Sequence, residues 1–438
     1  MVANANSLFS SSTRICILLG SMFLLSCAVA SDNTRPNIVL IVADYMGYSD
    51  TGPYGATDIR TPSLDALAAK GVLFSDFYAA SPVCGPSRAA LLSGRYPALV
   101  GMESNIGARN RGLLADNNSL LRELKAADYR TAMVGKWHLG NGPEYSPLAH
   151  GFDRFLGFHS WTLGYHDHLT SSGKAGLYRG NELVSEEGYL TDLFSDEATK
   201  FIEESAAEPF FLYLAYNVAL PPYQRHDLPR ARWSEGWDEN EASRTDYVAM
   251  VESMDAGIGR VLQKLKALNL DENTVIVFTV DHGGRHLARS DPLFHGFATL
   301  WEGGIRVPLL MAWPEKFSEG VMIERPTISM DVTSTLLSAV GRSSNSLNLD
   351  GRSLLPLLLD GEDVPAASLF WRFYAKGDPM RAVRRGKWKY MVDRGSQLLF
   401  DLEADPGERR NQFSSRPDVV DELRNELTDW ELSLEVDR

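Results

Sequence analysis

Hydrophobic and polar positions along the chain fall into two recurring patterns. Residues 37–44, NIVLIVAD, form a continuous apolar, β-branched run that ends in an acid, and residues 274–284, TVIVFTVDHGG, repeat this arrangement. Such runs are typical of strands buried in a parallel sheet. Residues 244–270 instead place apolar side chains at helical spacing. The alternation of the two patterns predicts an α/β fold with a large, mostly parallel sheet flanked by helices.

The segments between these runs continue the same alternation. A helix is predicted after Thr61, with Pro62 in its first turn and Gly71 as its terminator. Three further strands are predicted at residues 72–80, 130–138 and 209–217. Two further helices are predicted at residues 87–94 and 191–205.

The pattern changes near Glu324. A helix at 331–341 and a packed loop at 349–358 are followed by short strand-like pieces and by a terminal helix from about Pro417. The short pieces are residues 368–373, 380–392 and 397–406. We therefore expect two parts, a catalytic domain at 36–323 and a smaller α+β subdomain at 324–438 that carries an antiparallel sheet.

The N-terminal residues resemble an export signal. Arg14 precedes an apolar run, and Ala28-Val29-Ala30 has the small-x-small pattern that precedes cleavage. The run is short for a membrane span of about 20 residues. We read residues 1–30 as a signal peptide and expect a periplasmic or secreted protein without a transmembrane span. The alternative is a lipid anchor at Cys27, because Leu24–Cys27 resembles a lipobox.

Composition and cysteine content narrow the function. The 438 residues are 44% hydrophobic and 23% charged, as in a globular protein, and the net charge of −14 argues against a nucleic-acid partner. Cys16 and Cys27 lie in the predicted signal, so Cys84 would remain as the only cysteine after export. A single thiol in an exported protein is inert, bridged to another chain or chemically modified.

Several chemically active residues follow predicted strands. Asp44 and the pair Asp281–His282 end two of them, and Lys136 and His138 end a third. Ligands gather at the carboxyl ends of parallel strands. Carboxylates and imidazole bind divalent cations, whereas lysine with histidine can bind an oxyanion and move a proton. On an extended segment, residues two apart share a face, so we expect Lys136 and His138 to point at one site.

Cys84-Gly85-Pro86-Ser87-Arg88 matches the C-x-P-S-R signature of the type I sulfatases, which belong to the alkaline-phosphatase-like superfamily. Further stretches resemble the same family in the same order, so that the resemblance covers nearly all of the chain after the signal. These are NIVLIVAD, GKWHLG, HGFDRFLGF, YVAMVESMDAGIGRVL, VIVFTVDHGG, WEGGIRVP, LDGRSLLPLL and DLEADPGE. The resemblance implies the alkaline-phosphatase-like fold.

The resemblance also implies a nucleophile and its modification. A maturation enzyme would oxidise Cys84 to formylglycine (3-oxoalanine), whose aldehyde hydrate attacks sulfur. Arg88 would hold the hydrate, Lys136 would bind a sulfate oxygen, and His138 would take the proton that drives sulfate release. Arginine suits the first role because its charge is permanent.

The cation is likewise implied by the resemblance. Asp44, Asp281 and His282, together with residue 84, would hold Ca²⁺ or another divalent cation such as Mg²⁺ as a Lewis acid. His295 is a further candidate for substrate binding.

Three positions depart from the family pattern. Tyr45 stands where most sulfatases carry a second acid, Leu220 where a histidine is usual, and Phe297 where a lysine is usual. Three explanations compete: neighbouring residues compensate for them, the pocket is rebuilt with an apolar wall, or the protein is catalytically impaired. The candidate substitutes are His226, Arg285, His286 and His295.

The sequence therefore predicts an exported sulfatase that hydrolyses a sulfate ester of a sugar, a polysaccharide or an aryl alcohol. The open alternatives are an impaired sulfatase-like protein that binds a sulfated ligand and a phosphate or phosphonate ester hydrolase.

Overall fold

The computed structural model describes residues 35–105, 112–228, 242–342, 347–363, 367–374 and 379–436. The chain from Arg35 onwards forms one compact unit. The predicted signal peptide at 1–30 and the lipid-anchor alternative at Cys27 lie outside the described residues. Among the helices that the structure describes, none has the length and apolar character that crossing a membrane requires.

The described elements alternate between strands and helices through most of the chain. The strands are β1 (Asn37–Ala43), β2 (Val72–Phe74), β3 (Phe77–Tyr78), β4 (Arg130–Lys136), β5 (Arg154–Phe158), β6 (Tyr178–Arg179), β7 (Glu182–Leu183), β8 (Phe210–Ala215), β9 (Thr274–Val280), β10 (Leu309–Ala312), β11 (Val321–Ile323), β12 (Thr327–Ile328), β13 (Leu369–Phe373), β14 (Met380–Arg385), β15 (Trp388–Asp393) and β16 (Ser396–Asp401). The helices are α1 (Pro62–Ala69), α2 (Cys84–Ser93), α3 (Ser119–Ala126), α4 (Leu190–Glu204), α5 (Arg244–Ala267), α6 (Glu302–Ile305), α7 (Ser329–Ala339), α8 (Leu355–Asp360) and α9 (Pro417–Val436).

The large sheet has ten strands in the order β11-β2-β10-β9-β1-β8-β4-β5-β6-β7. Its centre, β9-β1-β8-β4-β5, is wholly parallel, and antiparallel pairs flank it on both sides. All seven residues of β1 are buried, as expected for a strand covered on both faces. The parallel centre brings the carboxyl ends of β1, β4, β8 and β9 to one edge.

Strands β12 and β3 form a small parallel sheet, and the C-terminal sheet is antiparallel in the order β13-β14-β15-β16, with α9 packed against it. A buried ion cluster joins this sheet to the large part of the molecule. Lys389 Nζ on β15 lies 2.8 Å from a carboxylate oxygen of Glu302 on α6 and 2.9 Å from one of Glu408. The predicted fold class, a large mixed sheet with helices and a C-terminal antiparallel sheet, is confirmed. The boundary at residues 323 and 324 stays a prediction.

Local predictions differ from the structure at four places. Helix α2 begins at Cys84, three residues before the predicted start, because a first turn tolerates a proline that lacks an N–H. Residues 380–392 form two strands, since Gly386 turns the chain with φ of 57°. The predicted strand at 72–80 is split into β2 and β3, and the loop at 349–358 contains the start of α8.

Candidate active site

Seven of the predicted site residues, including Arg88 and His138, meet at the carboxyl edge of the large sheet. Asp44 follows β1 directly, Asp281 and His282 follow β9, and Lys136 is the last residue of β4. Cys84 is the first residue of α2, whose ten residues are all buried. The N-terminus of a helix of this length carries a partial positive charge, which favours negative charge at that position.

The Cys84 thiol lies among potential metal ligands. Its Sγ is 3.1 Å from His282 Nε2 and 3.8 Å from Asp44 Oδ1. Burial raises the pKa of the thiol far above its usual value, and the charges of Asp44 and Asp281 raise it further despite the opposing effect of Lys136. The unmodified thiol is therefore protonated at neutral pH and is a weak nucleophile.

Arg88 connects the elements that meet at the site. The wholly buried guanidinium donates through Nε to Asp281 Oδ2 at 3.0 Å, through Nη2 to Asp44 Oδ2 at 3.3 Å and through Nη1 to the carbonyl of Lys136 at 3.0 Å. One side chain thus fixes the ends of β1, β4 and β9 relative to α2.

Lys136 and His138 reach the site differently from what strand geometry suggested. Strand β4 ends at Lys136, and His138 adopts φ of 55°, so the expectation of two alternate residues on one extended segment was wrong. Lys136 Nζ donates to Asp44 Oδ2 inside the protein. His138 is buried beside the cavity at Cys84, and its Nδ1 has no hydrogen-bond partner among the described residues.

The charges at the site perturb one another. Burial raises the pKa of Asp44, and the nearby Asp281 carboxylate adds to this effect. Although burial opposes the ionisation of Asp281 too, His282, Arg88 and Lys136 hold its pKa below the ordinary value. Burial and the cationic neighbours Lys136 and Arg88 lower the pKa of His138 well below its usual value. His138 is therefore a neutral imidazole at physiological pH.

The residues present suit a divalent cation. Asp44, Cys84, Asp281 and His282 each offer a ligand atom, and these atoms all lie within 4.8 Å of one another. Asp281 Oδ1 is buried and accepts no hydrogen bond, which leaves it available as a ligand. Two carboxylates and an imidazole form a donor set that such ions accept.

The three departures from the family pattern form one apolar wall. Tyr45, Leu220 and Cys84 make up a buried cluster, against which Phe297 packs. The ring of Tyr45 lies 4.5 Å from that of Phe297 and 4.7 Å, edge-on, from that of His282. Burial raises the pKa of Tyr45 far above its usual value, so its phenol stays neutral and cannot replace a carboxylate.

A cavity of about 290 Å³ opens at Cys84. Besides Tyr45 and His138 it is lined by Asn105, Asn141, Ser160 and Trp161, none of which the sequence singled out. Asn141 follows β4 and Trp161 follows β5. Their positions after neighbouring parallel strands were the one feature of the sequence that could have indicated a place near the site. Lys136 does not line this cavity in the described structure.

The residues considered as substitutes lie elsewhere. His226 is exposed and sits 3.1 Å from Asp192 Oδ2, away from the cavity at Cys84. Arg285, His286 and His295 line a separate cavity of about 580 Å³, which borders the first through Phe297. His295 contacts the rings of Phe294 and Trp301 there.

The structure has an α/β fold in which potential metal ligands and two cationic side chains lie together at one edge of a large mixed sheet. The chain matches the sulfatase family model over residues 36–342, and residues 294–433 match the model for the C-terminal part of N-sulphoglucosamine sulphohydrolase. The chain therefore belongs to the sulfatase family and is a sulfuric ester hydrolase.

Individual relatives agree with this assignment. The chain is 36% identical to the N-acetylgalactosamine-6-sulfatase of Homo sapiens over 385 residues, which cover 81% of this chain and 71% of the relative. It is 32% identical to arylsulfatase A of Bos taurus, with 91% and 87% covered. The crystal structure of Ps i-CgsB in complex with k-i-k-neocarrahexaose is similar with a TM-score of 0.82 and 33% identity, over 90% of this chain and 92% of that one.

Proposed function

We propose that the protein is an exported sulfatase that hydrolyses the sulfate ester of a sugar, a polysaccharide or an aryl alcohol, using formylglycine made from Cys84 and a divalent cation. The observation that carries this proposal is the meeting of Cys84 with two carboxylates, two cationic side chains and two imidazoles at the edge of the sheet. Relatives named as sulfatases of sugar and aryl substrates support the substrate range. Export rests on the pattern of residues 14–30.

In this proposal, Asp44, Asp281, His282 and residue 84 would be the ligands of the cation. The cation would supply Lewis acidity toward a sulfate oxygen, and formylglycine would supply a hydrated aldehyde as nucleophile. The C-x-P-S-R signature at residues 84–88 supports this modification of Cys84.

The remaining site residues would position the charged groups and transfer a proton. Arg88 holds both carboxylates and the carbonyl of Lys136 in register through its three contacts, and its charge would hold the hydrated residue 84. Lys136 provides positive charge next to Asp44, where a sulfate oxygen would be bound. His138 is neutral and has an unpartnered Nδ1 at the cavity, so it accepts a proton during sulfate release.

Peptide mass analysis around Cys84 tests the modification. In a host that has the maturation enzyme, the peptide should be lighter by the difference between a thiol-bearing methylene and an aldehyde. The same preparation should hydrolyse 4-nitrophenyl sulfate, and Cys84→Ser should lose turnover while staying folded. A thiol that remains unmodified in such a host, or full activity of Cys84→Ser, contradicts the proposal.

The apolar wall is the observation that favours one alternative function, in which the protein binds sulfated ligands without hydrolysing them. A correctly modified residue 84 combined with no hydrolysis of any sulfate ester would favour that alternative. Phenyl phosphate and phenylphosphonate esters assayed in parallel test the phosphoryl alternative. Loss of calcium-dependent thermal stabilisation in Asp44→Asn and Asp281→Asn, but not in the peripheral Asp58→Asn, would support the cation site.

A further inference from the structure

The start of helix α6 is held by side chains from the C-terminal part of the chain. The backbone N–H of Glu302, its first residue, donates to a carboxylate oxygen of Glu408 at 2.7 Å. The fully buried carboxylate of Glu302 lies 2.8 Å from Lys389 Nζ and accepts from the hydroxyl of Tyr78 at 2.6 Å. Lys389 belongs to β15 and Glu408 to the loop after β16, so the C-terminal sheet and its following loop fix the position of α6.

Helix α6 in turn contacts the residue that follows the potential metal ligands. The N–H of Gly283 donates to the carbonyl of Gly304 on α6 at 3.0 Å. A Cβ atom at Gly283 would lie 1.9 Å from the carbonyl oxygen of Gly303, so the two backbones touch and only glycine fits there. A displacement of α6 therefore moves Gly283, because rotation of a side chain cannot absorb a contact between backbone atoms.

Gly283 determines which nitrogen of His282 carries a proton. Nδ1 of the imidazole lies 2.9 Å from the carbonyl oxygen of Gly283, which can only accept a hydrogen bond, so Nδ1 is the protonated nitrogen. Nε2 lies 3.1 Å from Cys84 Sγ, among the potential ligands of the cation. A histidine binds a metal through an unprotonated nitrogen, and the hydrogen bond made by the other nitrogen selects and orients it.

We propose that Glu408 is a positioning residue for the cation site, which acts through α6 and Gly283 on the imidazole of His282. Lys389 supports this role, since its Nζ lies 2.9 Å from Glu408 and 2.8 Å from Glu302. The inference rests on the proposed function, because the cation is part of that proposal. It also gives the stretches WEGGIRVP and DLEADPGE, which contain Glu302 and Glu408, a part in the chemistry.

Calcium binding by the full chain with unmodified Cys84, made in a host without the maturation enzyme, tests this without turnover. In isothermal titration with CaCl₂, Glu408→Ala should bind about 10-fold more weakly than the unsubstituted protein, as expected when a metal ligand loses its outer support. Glu408→Gln keeps an oxygen that can accept from the Glu302 N–H, so it should retain most of the affinity. Leu399→Ala, at a buried position of the same sheet in the cluster with α9, is the matched control and should lower stability but not calcium affinity.

A double variant tests whether Glu408 acts through His282. His282→Ala should itself weaken calcium binding, and adding Glu408→Ala should then have little further effect, because the imidazole that Glu408 positions is gone. The ¹⁵N NMR spectrum of the histidine-labelled, metal-free protein gives a second readout. The His282 signals, assigned by their absence from His282→Ala, should show a protonated Nδ1 in the unsubstituted protein and in Glu408→Gln, and a shift of protonation toward Nε2 in Glu408→Ala.

The outcomes separate this inference from the function on which it rests. An unchanged calcium affinity or an unchanged His282 tautomer in Glu408→Ala, an equal loss of affinity in Leu399→Ala, or a full additional loss in the double variant would overturn the proposal. If the His282 tautomer depends on Glu408 but the unsubstituted protein binds no divalent cation, the cation of the proposed function is wrong and the positioning of His282 stands. If both depend on Glu408 and the mature protein hydrolyses no sulfate ester, only the proposed catalytic function is overturned.

Discussion

Replacing Arg88 by methionine should destabilise the protein strongly, because this residue neutralises two buried carboxylates. The guanidinium lies 2.9 Å from Asp281 Oδ2 and 3.3 Å from Asp44 Oδ2, and none of the three side chains is more than marginally accessible. Methionine fills much of the same volume without a charge. The variant would keep Lys136 as the one remaining cation bonded to Asp44 among the described contacts.

Removing one partner of a buried ion pair costs about 3–5 kcal/mol, since the other charge stays desolvated without compensation. Loss of the bond to the Lys136 carbonyl adds about 1 kcal/mol. We therefore expect the free energy of unfolding to fall by about 4–6 kcal/mol, a large part of the about 5–15 kcal/mol typical of proteins. Urea unfolding followed by tryptophan fluorescence, with EDTA present, measures this fall.

Calcium and a surface control make the test specific. Ca²⁺ should recover part of the loss in Arg88→Met, because a cation bound by Asp44 and Asp281 would replace the missing positive charge. Arg60→Met removes an ion pair with Glu252 in which the arginine side chain is 87% exposed, and it should leave stability unchanged. A loss below about 1 kcal/mol in Arg88→Met would refute the assignment of Arg88 as the charge partner of both carboxylates.

Three further changes probe other parts of the molecule. Phe297→Lys places a proton donor in the apolar wall. Because an alkoxide depends on protonation more than 4-nitrophenolate does, kcat/KM should rise more for an alkyl sulfate than for 4-nitrophenyl sulfate. Equal changes would contradict the view that Phe297 replaces a donor to the leaving group. Burial beside Glu302 raises the pKa of Glu408 to about 7, so its contribution to stability is complete below about 4.5 and is lost as pH rises through 7. Glu408→Gln should flatten this pH dependence of the urea midpoint. If the midpoints of the variant and the unsubstituted protein change in parallel with pH, Glu408 is not the group responsible. Trp371→Ala removes a buried ring whose Nε1 donates to the Ala79 carbonyl at 2.8 Å, and urea unfolding should show a loss of about 3–5 kcal/mol rather than a negligible one.

The central sheet was predictable because its strands are long and continuously apolar. Strands β1 and β9 and helix α5 lie where the pattern placed them, since burial on both faces of a sheet and one apolar face of a long helix leave clear periodicities. The short strands β6 and β7 were not predicted. Each has two residues and is partly or fully exposed, so neither period nor burial marks it in the sequence.

The site likewise contains some residues that sequence patterns predict and others that they do not. Asp44, Asp281 and His282 follow strands directly, and parallel packing alone brings them to one edge. His138 lies beyond the end of its strand, in a backbone conformation that no alternation pattern describes. Trp161 depends on the path of the loop after β5, which hydrophobic periodicity does not encode.

The apolar wall bears on whether the site has been rebuilt or impaired. Independent losses at unrelated positions would not be expected to pack against one another, whereas the rings of Tyr45 and Phe297 lie 4.5 Å apart. Leu220 belongs to the same cluster as Tyr45 and Cys84 and is fully buried. The charged half of the site meanwhile retains its ion pairs through Arg88. Substitutions that pack against one another beside a charged half that keeps its ion pairs are expected of a rebuilt pocket, and this view requires coupled rather than additive effects of changing Tyr45 and Phe297.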